Sequence, residues 1–168
     1  MILPGAMLGL LGGGQLGRMF TMAAQTLGYQ ITVLDPTSDS PAGRIAERHL
    51  KADYLDYQAL ADLSNTCAAI TTEFENVPAE ALRYLAQQRV VSPAANSVSI
   101  AQDRIQEKQF LSANGFAVAP FAVIQAGDDL ASPRYQSLCP GILKVSQLGY
   151  DGKGQVRVTH IDDLPLAF

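Results

Sequence analysis

Three consecutive glycines, Gly12, Gly13 and Gly14, stand between a short apolar run at residues 7–11 and a segment with helically spaced apolar residues. A buried strand, a tight glycine turn and an amphipathic helix make the opening of a βα unit, which commits such a chain to a sheet covered by helices. The turn reads Gly12-Gly13-Gly14-Gln15-Leu16-Gly17, formally GxGxxG. Glycines there allow close backbone approach, and the helix N-terminus offers N–H groups to an anion, so a phosphate- or nucleotide-sized ligand is expected at this loop. Leu16, Met19, Phe20, Ala23 and Leu27 recur at helical spacing, and Gly28 stops the helix.

The same alternation continues. Residues 31–34 read as a second strand ended by Asp35-Pro36, residues 50–52 as a short third strand, and residues 57–63 as a helix. A buried strand follows at 67–72. Pro78 suits the first turn of a helix running to about residue 88, and 90–91 would be a last short strand. The fold class is therefore α/β, with a Rossmann-like parallel sheet over residues 1–95. Residues 96–118 read as a helical connector, with a helix at 103–114 stopped by Gly115. Beyond it, 119–125, 142–145 and 155–159 read as strands and Asp162-Asp163 as a helix start, giving an incomplete second domain over 119–168.

Composition narrows the function classes. Of 168 residues, 48% are hydrophobic and 17% charged, which is the texture of a soluble globular protein. The net charge is −4 and the basic residues are scattered, so a nucleic-acid partner is not expected. No apolar run is long enough for a membrane helix, and the N-terminal run lacks a cationic start and a cleavage site, so a cytoplasmic protein is expected. Cys67 and Cys139 lie far apart without metal-ligand spacing and read as reduced thiols; His49 and His160 receive no role.

Four features could carry chemistry. The first is the glycine loop with Asp35, where a dinucleotide-binding protein places its ribose-binding acid, so a NAD-dependent oxidoreductase stays open at this point. A purely structural glycine turn is its rival. The second is Thr71-Thr72-Glu73-Phe74-Glu75-Asn76-Val77-Pro78, which sets two carboxylates at the carboxyl end of a strand. They could accept hydrogen bonds from ribose hydroxyls, or favour the helix that starts at Pro78. The third is Arg104 with Lys108, four apart on a helix, where an anionic ligand or Glu107 would relieve repulsion. The fourth runs from Ile142 to Gln155: a strand carrying Lys144, a glycine-rich loop with Lys153, then another strand. A lysine on an apolar strand needs an anionic partner. The loop could fold over ATP phosphates, and it lacks the GxxxxGK[ST] order of a P-loop.

GGGQLGRM at 12–19, TTEFENVP at 71–78, DRIQEKQFL at 103–111 and GYDGKGQ at 149–155 together resemble the N5-carboxyaminoimidazole ribonucleotide synthetases, which are ATP-grasp enzymes. The resemblance implies a pre-ATP-grasp domain followed by the start of an ATP-grasp domain. It implies that ATP and bicarbonate form carboxyphosphate, whose carboxyl group passes to 5-aminoimidazole ribonucleotide. By position, ATP would be bound by Arg104, Lys144, Gly149, Tyr150, Asp151, Gly152, Lys153, Gly154 and Gln155. Tyr150, Asp151 and Lys153 would be catalytic, and Gln15, Leu16 and Glu73 would hold the ribonucleotide. Magnesium ligands are expected downstream of residue 168, none within the chain, and a homodimer is implied. With half a nucleotide site, the chain is expected to be an incomplete fragment that does not turn over alone. Formate-dependent glycinamide ribonucleotide transformylase, other sister ligases and a non-catalytic nucleotide-sensing module remain alternatives.

Overall fold

A computed structural model describes residues 1–149 and 152–168; the expectations placed on Tyr150 and Asp151 lie outside the described residues. The chain divides into two compact units, Met1–Ser99 and Ile100–Phe168.

In the first unit β1 (Met7–Leu11), β2 (Gln30–Leu34), β3 (Arg48–Leu50), β4 (Ala69–Thr72) and β5 (Val90–Ser92) form one parallel sheet in the order β3-β2-β1-β4-β5. Strand order therefore reverses at β1, and the crevice outside the carboxyl ends at such a reversal is where open α/β sheets bind ligands. The connections carry α1 (Gln15–Thr26), α2 (Tyr57–Thr66) and α3 (Ala79–Ala86), and α4 (Ala95–Gln102) follows β5. The period of two along each strand sorts the core into two layers. Leu11, Leu34 and Ile70 pack with Leu60, Leu63, Leu82 and Leu85 of α2 and α3. Leu10, Ile31 and Val33 pack on the other face with Ala24 of α1 and Ala42. The expected parallel α/β sheet is what forms.

The face that α1 buries is not the one its apolar spacing indicates. Leu16 is 63% exposed, Met19 58% and Leu27 66%, while Gly17, Thr21 and Ala24 are buried. Small side chains let the helix sit close on the sheet, so close approach outweighs side-chain apolarity at this contact.

Two strand boundaries differ from those expected, and one helix is added. The third strand lies two residues earlier than its apolar residues suggest, because Arg48, His49 and Leu50 take the ladder positions beside Thr32, Val33 and Leu34. Cys67 ends α2 by donating its N–H to Leu63 O rather than opening β4. α4 lies almost wholly within the expected helical connector, but the sequence marks no separate helix there, because only Val98 on it is buried and one anchor makes no period.

The second unit holds α5 (Arg104–Ala113), α6 (Pro133–Gln136), an antiparallel hairpin of β6 (Gly141–Lys144) and β7 (Gln155–Val158), a 3-10 turn (Ile161–Asp163) and α7 (Leu164–Ala167). Tyr135, Val158 and Leu164 centre a small core, with Ile124, Leu130 and Leu143 packed against them. Residues 119–125, expected as a strand, carry none: β6 and β7 pair only with each other, and an extended segment without a ladder partner is not a strand. Among the described residues no helix is long and apolar enough to cross a membrane.

Candidate functional site

The glycine loop leaves β1 at the sheet's point of reversal. Gly12 N–H donates to Leu34 O at 3.0 Å, and Gly12 takes φ 96°, the left-handed region that side chains avoid. α1 then opens at Gly14, an N-cap with no side chain to offer its own helix. Glu73, just past the end of β4, supplies the cap instead. Its Oε1 accepts from Gly14 N–H and its Oε2 from Gly17 N–H, both at 2.8 Å. A carboxylate at a helix N-terminus is favoured by both the dipole and charge-assisted hydrogen bonds.

A second carboxylate holds the loop from β2. Asp35 Oδ2 accepts from Gly13 N–H at 2.7 Å and from the Tyr54 hydroxyl at 3.0 Å, while Oδ1 accepts from Thr37 N–H at 2.7 Å. Asp35 is 7% exposed. Burial would raise its pKa, but the N–H donors of Thr37 and Gly13, joined by the Tyr54 hydroxyl, outweigh it and hold the carboxyl below the usual range. Burial, and then the Asp35 carboxylate, push the Tyr54 hydroxyl well above the ordinary phenol range.

These contacts change the reading of the loop. The N–H groups of Gly13, Gly14 and Gly17 are spent on the protein's own carboxylates, so the expected anion cradle is narrowed to the N–H groups of Gln15 and Leu16 in the first turn. Asp35 is 7% exposed and takes three donors from the protein, so it is turned inward rather than offered to a ribose, and the NAD reading loses its acid. Glu73 serves α1 rather than the helix beginning at Pro78, and Glu75 is exposed. Gln15 and Leu16 lie exposed in the first turn that Glu73 caps, so these three are brought to one place. The bracing role of the acids was missed, yet it had a signal. A glycine N-cap has no acceptor of its own and must borrow one from a neighbouring strand end. Glu73→Gln keeps one acceptor and replaces the other with a donor; we expect a loss of about 1–2 kcal/mol, read as a lowered urea midpoint.

In the second unit the hairpin presents one open face. Ile142 stands opposite Arg157 and Lys144 opposite Gln155, and all four are exposed, while Leu143 turns to the small core. Lys144 is thus not buried in an apolar strand, and desolvation does not force a partner on it as expected. Val145 N–H donates to Gly154 O at 2.9 Å, which closes the ladder and leaves Gly149, Gly152 and Lys153 in the connecting loop. Asp103 caps α5, accepting from Ile105 N–H at 2.9 Å and Gln106 N–H at 3.1 Å. Arg104 N–H donates to Ser146 O at 2.8 Å, and Gln147 Nε2 donates to Asp103 Oδ2 at 3.1 Å. The start of α5 is therefore fastened to the strand end two residues past Lys144. Arg104 and Lys144 share one end of the unit, where two exposed cations could meet a polyanion. Among the described residues no group of three or more His, Cys, Asp or Glu could hold a metal ion.

Residues 6–102 match the ribonucleotide synthetase preATP-grasp domain family. The N5-carboxyaminoimidazole ribonucleotide synthase of Brucella melitensis is 44% identical over 160 residues, covering 95% of this chain and 44% of the relative. The Staphylococcus aureus N5-carboxyaminoimidazole synthetase solved with ADP superposes with a TM-score of 0.88 at 36% identity, covering 99% of this chain and 45% of that one. The Aspergillus clavatus synthase solved with ADP and 5-aminoimidazole ribonucleotide gives 0.77 at 29% identity, covering 96% and 43%. The chain thus spans less than half the length of the relatives it matches. With the match running through the whole of β1 to β5 and the loop that Asp35 and Glu73 brace, the chain belongs to the ribonucleotide synthetase preATP-grasp domain family.

Proposed function

We propose that the protein carrying this chain converts 5-aminoimidazole ribonucleotide, ATP and bicarbonate to N5-carboxyaminoimidazole ribonucleotide, in purine biosynthesis. The observation that carries this reading is that likeness to the Brucella synthase extends over 95% of the chain, through both units. Lys144 and Arg104 meet the ATP phosphates, and Gly149, Tyr150, Asp151, Gly152, Lys153, Gly154 and Gln155 close over them. A bicarbonate oxygen attacks the γ-phosphorus and ADP leaves. The exocyclic amine then attacks the carboxyl carbon of carboxyphosphate, phosphate departs, and the nitrogen gives up a proton. Lys153, Asp151 and Tyr150 act where nucleotide, bicarbonate and amine meet. Charge placement supplies most of the catalysis in phosphoryl transfer, which two or three well-set cations can provide.

Gln15, Leu16 and Glu73 hold the ribonucleotide. Glu73 keeps lone pairs after accepting from Gly14 and Gly17, so one carboxylate can brace the first turn and still accept from a ribose hydroxyl. Magnesium would neutralise phosphate charge, with ligands outside the described residues. A cytoplasmic homodimer completes the proposal.

Phosphate release from ATP by the full-length protein, in bicarbonate, tests it. Release stimulated by 5-aminoimidazole ribonucleotide is expected, and Lys144→Ala should lower it about 100- to 1,000-fold, the usual cost of one transition-state charge contact. Stimulation by glycinamide ribonucleotide instead would move the function to a sister ligase. Absence of ATP turnover would end the ligase reading.

A further inference from the structure

The two cations that the proposal sets on ATP phosphates stand on separate elements: Arg104 begins α5 and Lys144 ends β6. Neither element alone fixes how far apart, or at what angle, the two side chains leave the backbone. Cations meet one polyanion well only when their separation is set before the ligand arrives. Two hydrogen bonds set it here. Arg104 N–H donates to Ser146 O at 2.8 Å, and on the outer side of that bond Gln147 Nε2 donates to Asp103 Oδ2 at 3.1 Å. A single main-chain bond leaves the helix start free to swivel about it; the second bond removes that freedom.

Asp103 can pass the constraint on. Its Oδ1 accepts from Ile105 and Gln106 N–H, so the carboxylate that Gln147 grips is the N-cap of the helix whose first residue is Arg104. Gln106 N–H, joined by Gln147 and Ile105 N–H, holds the Asp103 carboxyl below its ordinary range, so the bond from Gln147 is charge-assisted. Beyond this anchor the chain changes character. Leu148 takes φ 57°, the left-handed region, with a bulky side chain that is 76% exposed. That conformation persists only where neighbouring structure holds it, and Gln147 is the tethered neighbour. The chain is thus fixed through Gln147 before the glycine-rich loop begins at Gly149.

We propose that Gln147 is a positioning residue for the nucleotide: by gripping the Asp103 cap it sets the start of α5 so that Arg104 meets the same phosphates as Lys144. The role needs a donor at the end of a side chain of this length, since Asp103, as an ionised carboxylate, only accepts. Gln147 acts through Arg104 and needs no contact with the phosphates itself. The inference deepens the ATP reading above and rests on it. It differs from a purely structural tie in one respect. Removing the Gln147 side chain weakens the nucleotide only while Arg104 is there to be positioned.

Isothermal titration calorimetry of the full-length protein with ADP tests it, in a double-variant cycle with Arg104→Ala and with circular dichroism as the check on folding. Gln147→Ala is expected to weaken ADP about tenfold, the scale of a hydrogen bond to a charged group, and to weaken it no further once Arg104→Ala is present. Gln147→Arg restores a donor to the Asp103 carboxylate and should bind ADP within about twofold of wild type. Wild-type affinity in Gln147→Ala would overturn the inference, as would an equal loss with and without Arg104, which a general loosening of the unit produces. Gln147→Arg as weak as Gln147→Ala would overturn the role of the donor. Should Gln147→Ala fail to fold, Gln147→Met, similar in length and without a donor, decides. A wild type that binds ADP yet does not carboxylate the ribonucleotide ends the function reading alone, and the ADP cycle still decides Gln147. A wild type without ADP affinity overturns both.

Discussion

Asp35→Ala is expected to lower the stability of the first unit by roughly 3–5 kcal/mol, by leaving three partly or fully buried donors without acceptors at about 1–3 kcal/mol each and less than additively. The donors are Gly13 N–H, Thr37 N–H and the Tyr54 hydroxyl. Urea unfolding followed by circular dichroism reads the loss. Tyr54→Phe removes one donor together with its acceptor's need and should cost far less, about 1 kcal/mol. The same carboxylate gives the unit an acid dependence. Its pKa in the folded chain lies below the value near 3.9 that an unfolded aspartate shows, so the folded state binds its proton less readily. That contribution is fully present above about pH 4 and is lost as pH falls through the folded pKa, because the unfolded chain then takes up the proton first. Asp35→Ala should flatten stability against pH over this acid range. A variant as stable as wild type at pH 7, with the same acid limb, would show that the loop stands without its brace.

How much of this was legible beforehand depends on which physical rule decides each element. The strands could be read because a parallel sheet buries both faces, and the runs at 7–11 and 31–34 are apolar but for Gly9 and Thr32. Helix positions could be read from the glycine and proline punctuation, as with Gly28 and Pro78. The buried face of α1 could not, because spacing identifies an apolar stripe without saying whether the sheet or another surface receives it. Gly17, Thr21 and Ala24 were chosen for closeness, and Leu16, Met19 and Leu27 were left outside. Residues 119–125 have strand composition, but pairing is a long-range property that composition does not carry. For the site, Glu73 and Asp35 stood out correctly as acids at strand ends beside the glycine loop. Their partners did not, because Glu73 reaches back 59 residues to Gly14 and Asp35 reaches 22 to Gly13. A motif names the residues that must meet; only the sheet order puts β2 and β4 on either side of β1 and so both acids against one turn.

That arrangement closes Gly12 to substitution twice over, by its positive φ and by its contact with Glu73. Gly12→Ala should cost roughly 3–5 kcal/mol from two sources, about 1–2 for a side chain held in the left-handed region and the rest for displaced neighbours and a lost helix cap. The added Cβ would stand 2.5 Å from Glu73 Cγ and 2.9 Å from Phe74 Cδ1. Glu73 cannot yield without releasing Gly14 and Gly17, so the overlap is resolved by breaking the cap of α1. Gly5 supplies the control within the same unit: it too has positive φ, at 92°, and nothing lies within 4 Å of its would-be Cβ. Gly5→Ala should therefore show the backbone cost alone, about 1–2 kcal/mol. Urea midpoints of the two variants, measured side by side, separate strain from contact. Equal losses would mean that Glu73 moves aside freely, and amide exchange at Gly14 and Gly17 would then be as slow in Gly12→Ala as in wild type. A larger loss at Gly12, with fast exchange at those two amides, is the result the braced loop requires.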